Sequence, residues 1–205
     1  MEILKYILCL VLGYLIGSIS NGLLIAKIKG VDLRNEGSGG TGTTNVLRTM
    51  GKLAALMTFV GDLAKVILPI VLIRIFLGNS TDWYLLSLYY GLGAVLGHCY
   101  PLYFQFKGGK GIAVTTALIC ATSHPKVIIY GVIAFVLVVV ITRYVSVGSL
   151  LVVPIVLVIN TIMYHRTDEL FVHMLIISLL IGALDYFRHR ANIVRLFHGE
   201  ENKLF

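Results

Sequence analysis

Residues 126–142 read KVIIYGVIAFVLVVVIT, and after Lys126 no charged side chain interrupts the run. Lipid offers the backbone no hydrogen-bond partner, so an apolar run of this length is read as a membrane-spanning helix. Similar runs occupy 3–25, 53–77, 84–103, 146–164 and 169–187. The piece 112–122, IAVTTALICAT, is too short to cross alone, and His124-Pro125 breaks the chain behind it. The expected fold is an all-α polytopic membrane protein with about seven transmembrane helices, some short, or about five if the weak segments are discounted. Composition agrees: 58% of the 205 residues are hydrophobic and 13% charged, against roughly 25% charged in soluble domains. No repeat, linker or low-complexity tract divides the chain, so 1–205 is expected to form one domain. No A-x-A-like cleavage site follows the first apolar run, which is therefore expected to remain as a helix.

The formal charge is +7, which in a soluble chain would suggest nucleic acid. Here the basic residues cluster in short loops between apolar runs, the pattern of membrane orientation. Lys27, Lys29, Arg34, Arg48 and Lys52 follow the first span, and Lys107 and Lys110 the third. Arg143 follows the fifth span, and Arg188, Arg190, Arg195 and Lys203 follow the last. The other loops hold only Lys5, Arg74, Lys126 and Arg166, while Lys65 lies inside a span. This asymmetry puts the N-terminus outside and the C-terminus in the cytoplasm, so all three polar loops described next fall on the cytoplasmic face. Cys9, Cys99 and Cys120 are scattered without metal-ligand spacing and read as small buried hydrophobes. His124, His165 and His173 suggest no metal site either. No metal, cofactor, nucleic acid or obligate protein partner is expected.

The first polar stretch is GSGGTGTTNVLR, Gly37 to Arg48. Backbone amides of Gly37, Gly39 and their neighbours can form an anion-binding nest, with Ser38 and Arg48 as further donors. Thr44 or Asn45 can cap the helix that follows. The alternative is a flexible interhelical loop. The second is FQFKGGKGIAV, Phe104 to Val114. It is not a nucleotide P-loop, because Gly111 follows Lys110 where Ser or Thr is required, and Phe104 stands where the first glycine belongs. What remains is a turn of Gly108 and Gly109 with Lys107 and Lys110 at the start of a helix, favourable to anions, or else a simple positive-inside anchor. The third is RHRANIVRLFHGEENK, Arg188 to Lys203. Asn192 and Arg195 would share a helical face, with a stop at Gly199, and the segment also reads as an amphipathic surface tail. Asp62 and Lys65 can pair within the second span, and His98 in GHCYP is a candidate proton carrier or hydrogen bonder.

Together and in this order, the stretches resemble the bacterial membrane acyl-phosphate:glycerol-3-phosphate acyltransferases, the PlsY family. GSGGTGTTNVLR is similar to that family's first loop, GHCYPLYFQFKGGKGIAV to its second and HRANIVRLFHGEE to its third; DLAK and RYVS also match. Gly40 stands where the family usually has asparagine, and Val114 where threonine is common. The resemblance implies transfer of a fatty acyl group from acyl phosphate to the 1-hydroxyl of glycerol-3-phosphate, within a bacterial cell membrane and facing the cytoplasm. It implies catalytic roles for Ser38, Arg48, Lys107, His189 and Asn192. Substrate contacts would come from Gly37, Gly39, Thr44, Asn45, Gly108, Gly109, Lys110, Ser146, Arg195 and Glu201. Lys107 and Ser38 would hold the acyl phosphate. Arg48, Asn192 and Arg195 would hold the glycerol phosphate or neighbouring oxyanions, with His189 and Glu201 orienting these groups or the glycerol hydroxyls. No histidine here has an aspartate five positions later, so a His-x4-Asp base is absent and a donor phosphate oxygen is expected to take the proton. The main rival is a transporter for a phosphate-bearing solute, which would place charges along a mid-membrane path. A metal-dependent head-group transferase would need a carboxylate cluster that the ten acidic residues do not form.

Overall fold

The computed structural model describes residues 2–78 and 82–204. In chain order the helices are α1 (Glu2–Gly17), α2 (Asn21–Ile28), α3 (Thr43–Leu77), α4 (Trp83–Cys99), α5 (Ile112–Thr122), α6 (Pro125–Thr142), α7 (Val145–His165), α8 (Phe171–Arg188) and α9 (Arg190–Phe197). Five segments are long and apolar enough to cross a membrane: the α1–α2 stretch Ile3–Ile28, α3, α6, α7 and α8. With the shorter α4 and α5, this is the all-helical membrane architecture expected from the apolar runs.

Helix α4 forms the centre. Leu85, Leu88, Ala94, Val95 and Cys99 are fully buried, as expected of a helix that is apolar all round. Its most extensive partner is α1. Gly13 and Gly17 of α1 lie against the backbone of Tyr90 and Ala94, while Gly93 and Gly97 of α4 lie against the backbone of Leu10, Tyr14 and Ser18. Small residues four apart on both helices let the two backbones touch, which is how helices associate in lipid without a hydrophobic driving force. The outer faces carry exposed Leu8 and Val11 on α1, Leu68 and Leu72 on α3, and Val136 and Val140 on α6. Such a belt of exposed large apolar side chains suits lipid. Helix α6 packs along α7 and touches α5 only at its edge.

Three boundaries differ from the expected spans. The first span, expected at 3–25, breaks at Ser18–Ser20. Lys65 satisfies the carbonyls freed there, donating to Gly17 O at 3.2 Å and Ile19 O at 2.9 Å. The second span begins ten residues before 53, because α3 runs on from Thr43 through a kink at Gly51, whose φ of 83° suits glycine. The third, expected to reach 103, stops at Cys99, and a 3₁₀ turn at Leu102–Phe104 leads into the glycine-rich loop.

Candidate active site

The three polar stretches, far apart in sequence, meet around one cavity of ≈ 490 Å³ that continues between α5, α6 and α7. The first two stretches are held by side chains committed to backbone, the third by side chains bonded to one another. Asn45 does not cap α3, whose helix already starts at Thr43; its amide instead folds back over the loop before it. Asn45 Oδ1 accepts from the Ser38 N–H at 2.8 Å and from Ser38 Oγ at 3.2 Å. Asn45 Nδ2 donates to Gly40 O at 2.8 Å and Glu36 O at 3.0 Å. Asn45 therefore shapes the loop, and Gly37 is the position that leaves room for its Oδ1. The space around Gly40 would also accept a side chain, with Ser38 Oγ at 3.5 Å from an added Cβ.

Two arginines hold the second loop. Arg34 donates to Phe104 O at 2.7 Å and Lys107 O at 3.0 Å, tying the first loop to the second. Arg188 donates to Gly109 O at 2.9 Å and Gly108 O at 3.2 Å, and stacks on Tyr100 with its guanidinium 4.7 Å from the ring centre. The structure separates the two lysines that the sequence treats alike. Lys107 is exposed and absent from the cavity wall, whereas Lys110 lines it. Burial, with Arg195, Arg48 and Arg188 nearby and Glu201 opposing, brings Lys110 down to about 8.

Helix α9 presents Asn192 and Arg195 on one face, as their spacing requires. Both donate to Glu201, Asn192 Nδ2 to Oε1 and Arg195 Nε to Oε2, each at 2.7 Å. Burial would raise the Glu201 carboxyl, but these bonds and the Arg195 charge bring it below its ordinary range. Arg195 itself stands behind Glu201 and does not line the cavity. Burial brings His189 down to about 4, so the ring is neutral near pH 7. Its Nδ1 lies 2.9 Å from Asp185 O, a pure acceptor, so Nδ1 carries the proton and Nε2 is the bare nitrogen.

Of the residues the sequence singled out, Ser38, Gly39, Thr44, Asn45, Arg48, Gly108, Gly109, Lys110, Ser146, His189, Asn192 and Glu201 line the cavity; Gly37, Lys107 and Arg195 do not. Sequence reading did not assign site roles to Arg34 or Arg188, because each acts through loop carbonyls that only the fold brings near. Asp62 and His98 also line the cavity.

The electrostatics favour an anion. Arg48 and Lys110 have no ion-pair partner among the described residues, whereas Glu201 is paired with Arg195 and Asp62 with Lys65. The Thr41 and Thr43 hydroxyls are buried without a hydrogen-bond partner among the described residues and can donate to an anion, while Asn192 Oδ1, also without one, is an acceptor that suits a ligand hydroxyl. A further part of the wall is apolar, formed by Phe59, Ile119, Val127, Phe135, Val153 and Val156. A ligand with an anionic head and a long apolar tail matches both parts.

Comparison with known proteins agrees. A model of the family described as glycerol-3-phosphate acyltransferase matches residues 7–199. The glycerol-3-phosphate acyltransferase of Aquifex aeolicus is 38% identical over 98% of this chain and 100% of its own length. That of Clostridioides difficile is 39% identical over 100% of this chain and 98% of its own. The crystal structure of PlsY (YgiH), an integral membrane glycerol 3-phosphate acyltransferase, superposes in its glycerol 3-phosphate form with a TM-score of 0.84 and 36% identity. That match covers 98% of this chain and 96% of the other. The lysophosphatidic acid form gives a TM-score of 0.79 at 34% identity, covering 98% and 95%. With the sequence matched along nearly its whole length and the architecture shared, the chain belongs to the glycerol-3-phosphate acyltransferase family.

Proposed function

We propose that the chain transfers a fatty acyl group from an acyl phosphate to the 1-hydroxyl of sn-glycerol-3-phosphate, giving 1-acylglycerol-3-phosphate (lysophosphatidate) and inorganic phosphate. The observation that carries this reading is the continuity of a cationic pocket, Arg48 and Lys110, with an apolar slot between α5, α6 and α7. The relatives' names and the two bound forms of the solved structure support it. We place residues 1–205 as one domain in a bacterial inner membrane, with the N-terminus outside and the cavity open to the cytoplasm, because the basic loops lie at that end.

The glycerol 1-hydroxyl oxygen attacks the acyl carbon, the bond from that carbon to the phosphate oxygen breaks, and the hydroxyl proton leaves on the departing phosphate. His189 accepts the hydroxyl hydrogen bond at Nε2; a ring this hard to protonate orients the hydroxyl better than it removes the proton. The donor phosphate is the stronger base and stands next to the hydroxyl. Ser38, the loop amides and Lys107, swung inward on its flexible stem, hold the acyl phosphate. Arg48 holds the glycerol phosphate, Asn192 adds the Nδ2 N–H that Glu201 does not take, and Arg195 acts through Glu201. Placement and charge stabilisation of this kind supply the rate.

The test uses purified protein in detergent with glycerol-3-phosphate and palmitoyl phosphate, without added metal. Phosphate and lysophosphatidate appearing in equal amounts establish the reaction. Transfer from acyl-CoA alone would change the donor, and no transfer from any donor would remove the reading.

A further inference from the structure

Beyond the loops stands a buried polar group that the mechanism above leaves unused. His98, at the last turn of α4, is 3% exposed and lines the cavity. Its Nδ1 lies 3.1 Å from Lys65 Nζ. An ammonium donates and never accepts, so Nδ1 must be the bare nitrogen and the proton of the neutral ring sits on Nε2. A protonated ring would set two cations face to face, with the Asp62 carboxylate 3.9 Å from Nδ1, too far for a hydrogen bond. Lys65 is itself fixed by Asp62 at 2.8 Å and by the two carbonyls at the α1 break. Asn21 donates to the same Asp62 oxygen at 3.0 Å, so the pair cannot turn away.

The opposite edge of the ring faces the glycine-rich loop. His98 O accepts the Gly109 N–H at 3.0 Å, and Nε2 lies where a side chain at 109 would begin. Glycine at 109 thus leaves the Nε2–H uncovered, and this donor has no hydrogen-bond partner among the described residues. The cavity consequently has two neutral histidines of opposite tautomer. His189 offers an acceptor to it, and His98 offers a donor.

We infer that His98 is a further substrate-binding residue, whose Nε2–H donates to a phosphate oxygen held by the Gly108–Gly111 loop, with Lys65 as the positioning residue that fixes its tautomer. The inference rests on the proposed reaction for the identity of the phosphate, which is that of the acyl donor or of glycerol-3-phosphate. A neutral donor suits this place: it stabilises the oxyanion without the strong pairing that would hold the released phosphate.

The experiment is nitrogen NMR of the full chain in detergent, labelled with ¹⁵N-histidine, with the His98 signals assigned by their loss in His98→Gln. The Nε2–H tautomer is expected in the free protein, and the Nε2 signal is expected to move on adding inorganic phosphate or glycerol-3-phosphate. In turnover, His98→Leu should lose about 10- to 100-fold in kcat/KM, the span expected for a hydrogen bond to a charged group. His98→Gln, which carries an amide N–H to nearly the same place, should regain most of it. A raised KM for acyl phosphate or for glycerol-3-phosphate identifies which phosphate His98 touches. An Nδ1–H tautomer, an Nε2 signal indifferent to both anions, or a His98→Leu enzyme at the wild-type rate would overturn the inference. The phosphate titration needs no turnover, so a protein that shifts Nε2 with phosphate but transfers no acyl group would overturn the proposed reaction and leave this site standing.

Discussion

Both ends of the helix bundle bury polar side chains, and they treat them in opposite ways. At the end away from the glycine-rich loops, Tyr84 OH meets Thr161 Oγ1 at 2.8 Å, and Thr161 meets Ser178 at 2.8 Å. Asn160 Nδ2 donates to the same tyrosine at 3.2 Å, and His165 stacks on its ring with centroids 3.7 Å apart. Apart from Asn160 Oδ1, this network satisfies itself. At the loop end the corresponding atoms of Thr41, Thr43 and Asn192 have no partner among the described residues, and neither Arg48 nor Lys110 beside them has an ion-pair partner there. Closed polar networks join helices, whereas an open one costs stability until a ligand fills it. The contrast therefore separates polar residues that hold the protein together from those that hold a substrate.

Substitutions at the two ends can break or sharpen that contrast. Arg48→Ala should have the largest effect, lowering kcat/KM about 100- to 1000-fold as expected for loss of a charge-stabilising donor. The protein should still insert and purify; near-normal turnover would mean that the open end is not a substrate site. Next comes pH. If the Lys110 ammonium binds phosphate, kcat/KM is full below its value of about 8 and falls roughly tenfold per unit above it, because the deprotonated amine brings no charge. A profile flat to pH 10 would remove Lys110 from the site, while Lys110→Arg should move the decline upward. Glu201→Gln should cost about tenfold, chiefly by freeing Arg195 and so raising KM for glycerol-3-phosphate. Gly131→Phe, placed in the apolar slot 3.5 Å from Val156, should favour shorter acyl chains with little loss on them. Tyr84→Phe, at the closed end, should be smallest: about 0.6 kcal/mol of stability by thermal or denaturant unfolding, with kcat/KM unchanged.

How far these roles could be read in advance depended on distance along the chain. Membrane spans follow from local composition, and the shared face of Asn192 and Arg195 follows from helical spacing, so both were legible. The α1 break was not, because Ser18–Ser20 is unremarkable until Lys65, in another helix, arrives to take the exposed carbonyls. Asn45 looked like a helix cap or an anion donor because its neighbours are glycine and threonine; only the folded loop reveals four partners for its amide. Lys107 and Lys110, three apart in one motif, could not be told apart by type, since burial alone distinguishes them. Arg34 and Arg188 bind carbonyls that any residue carries, so no pattern of side chains marks them.

The loose fit of α6 against α5 has a kinetic consequence. Val132 lines the cavity and is also 55% exposed on the bundle surface, so the slot is open sideways to lipid. Under the proposed reaction, glycerol-3-phosphate and inorganic phosphate exchange with water at the loop end, while the acyl donor arrives and lysophosphatidate departs within the bilayer. Turnover then responds to the donor's mole fraction in the membrane and not to its amount per litre. Diluting the donor with inert lipid should slow the enzyme even at constant total donor.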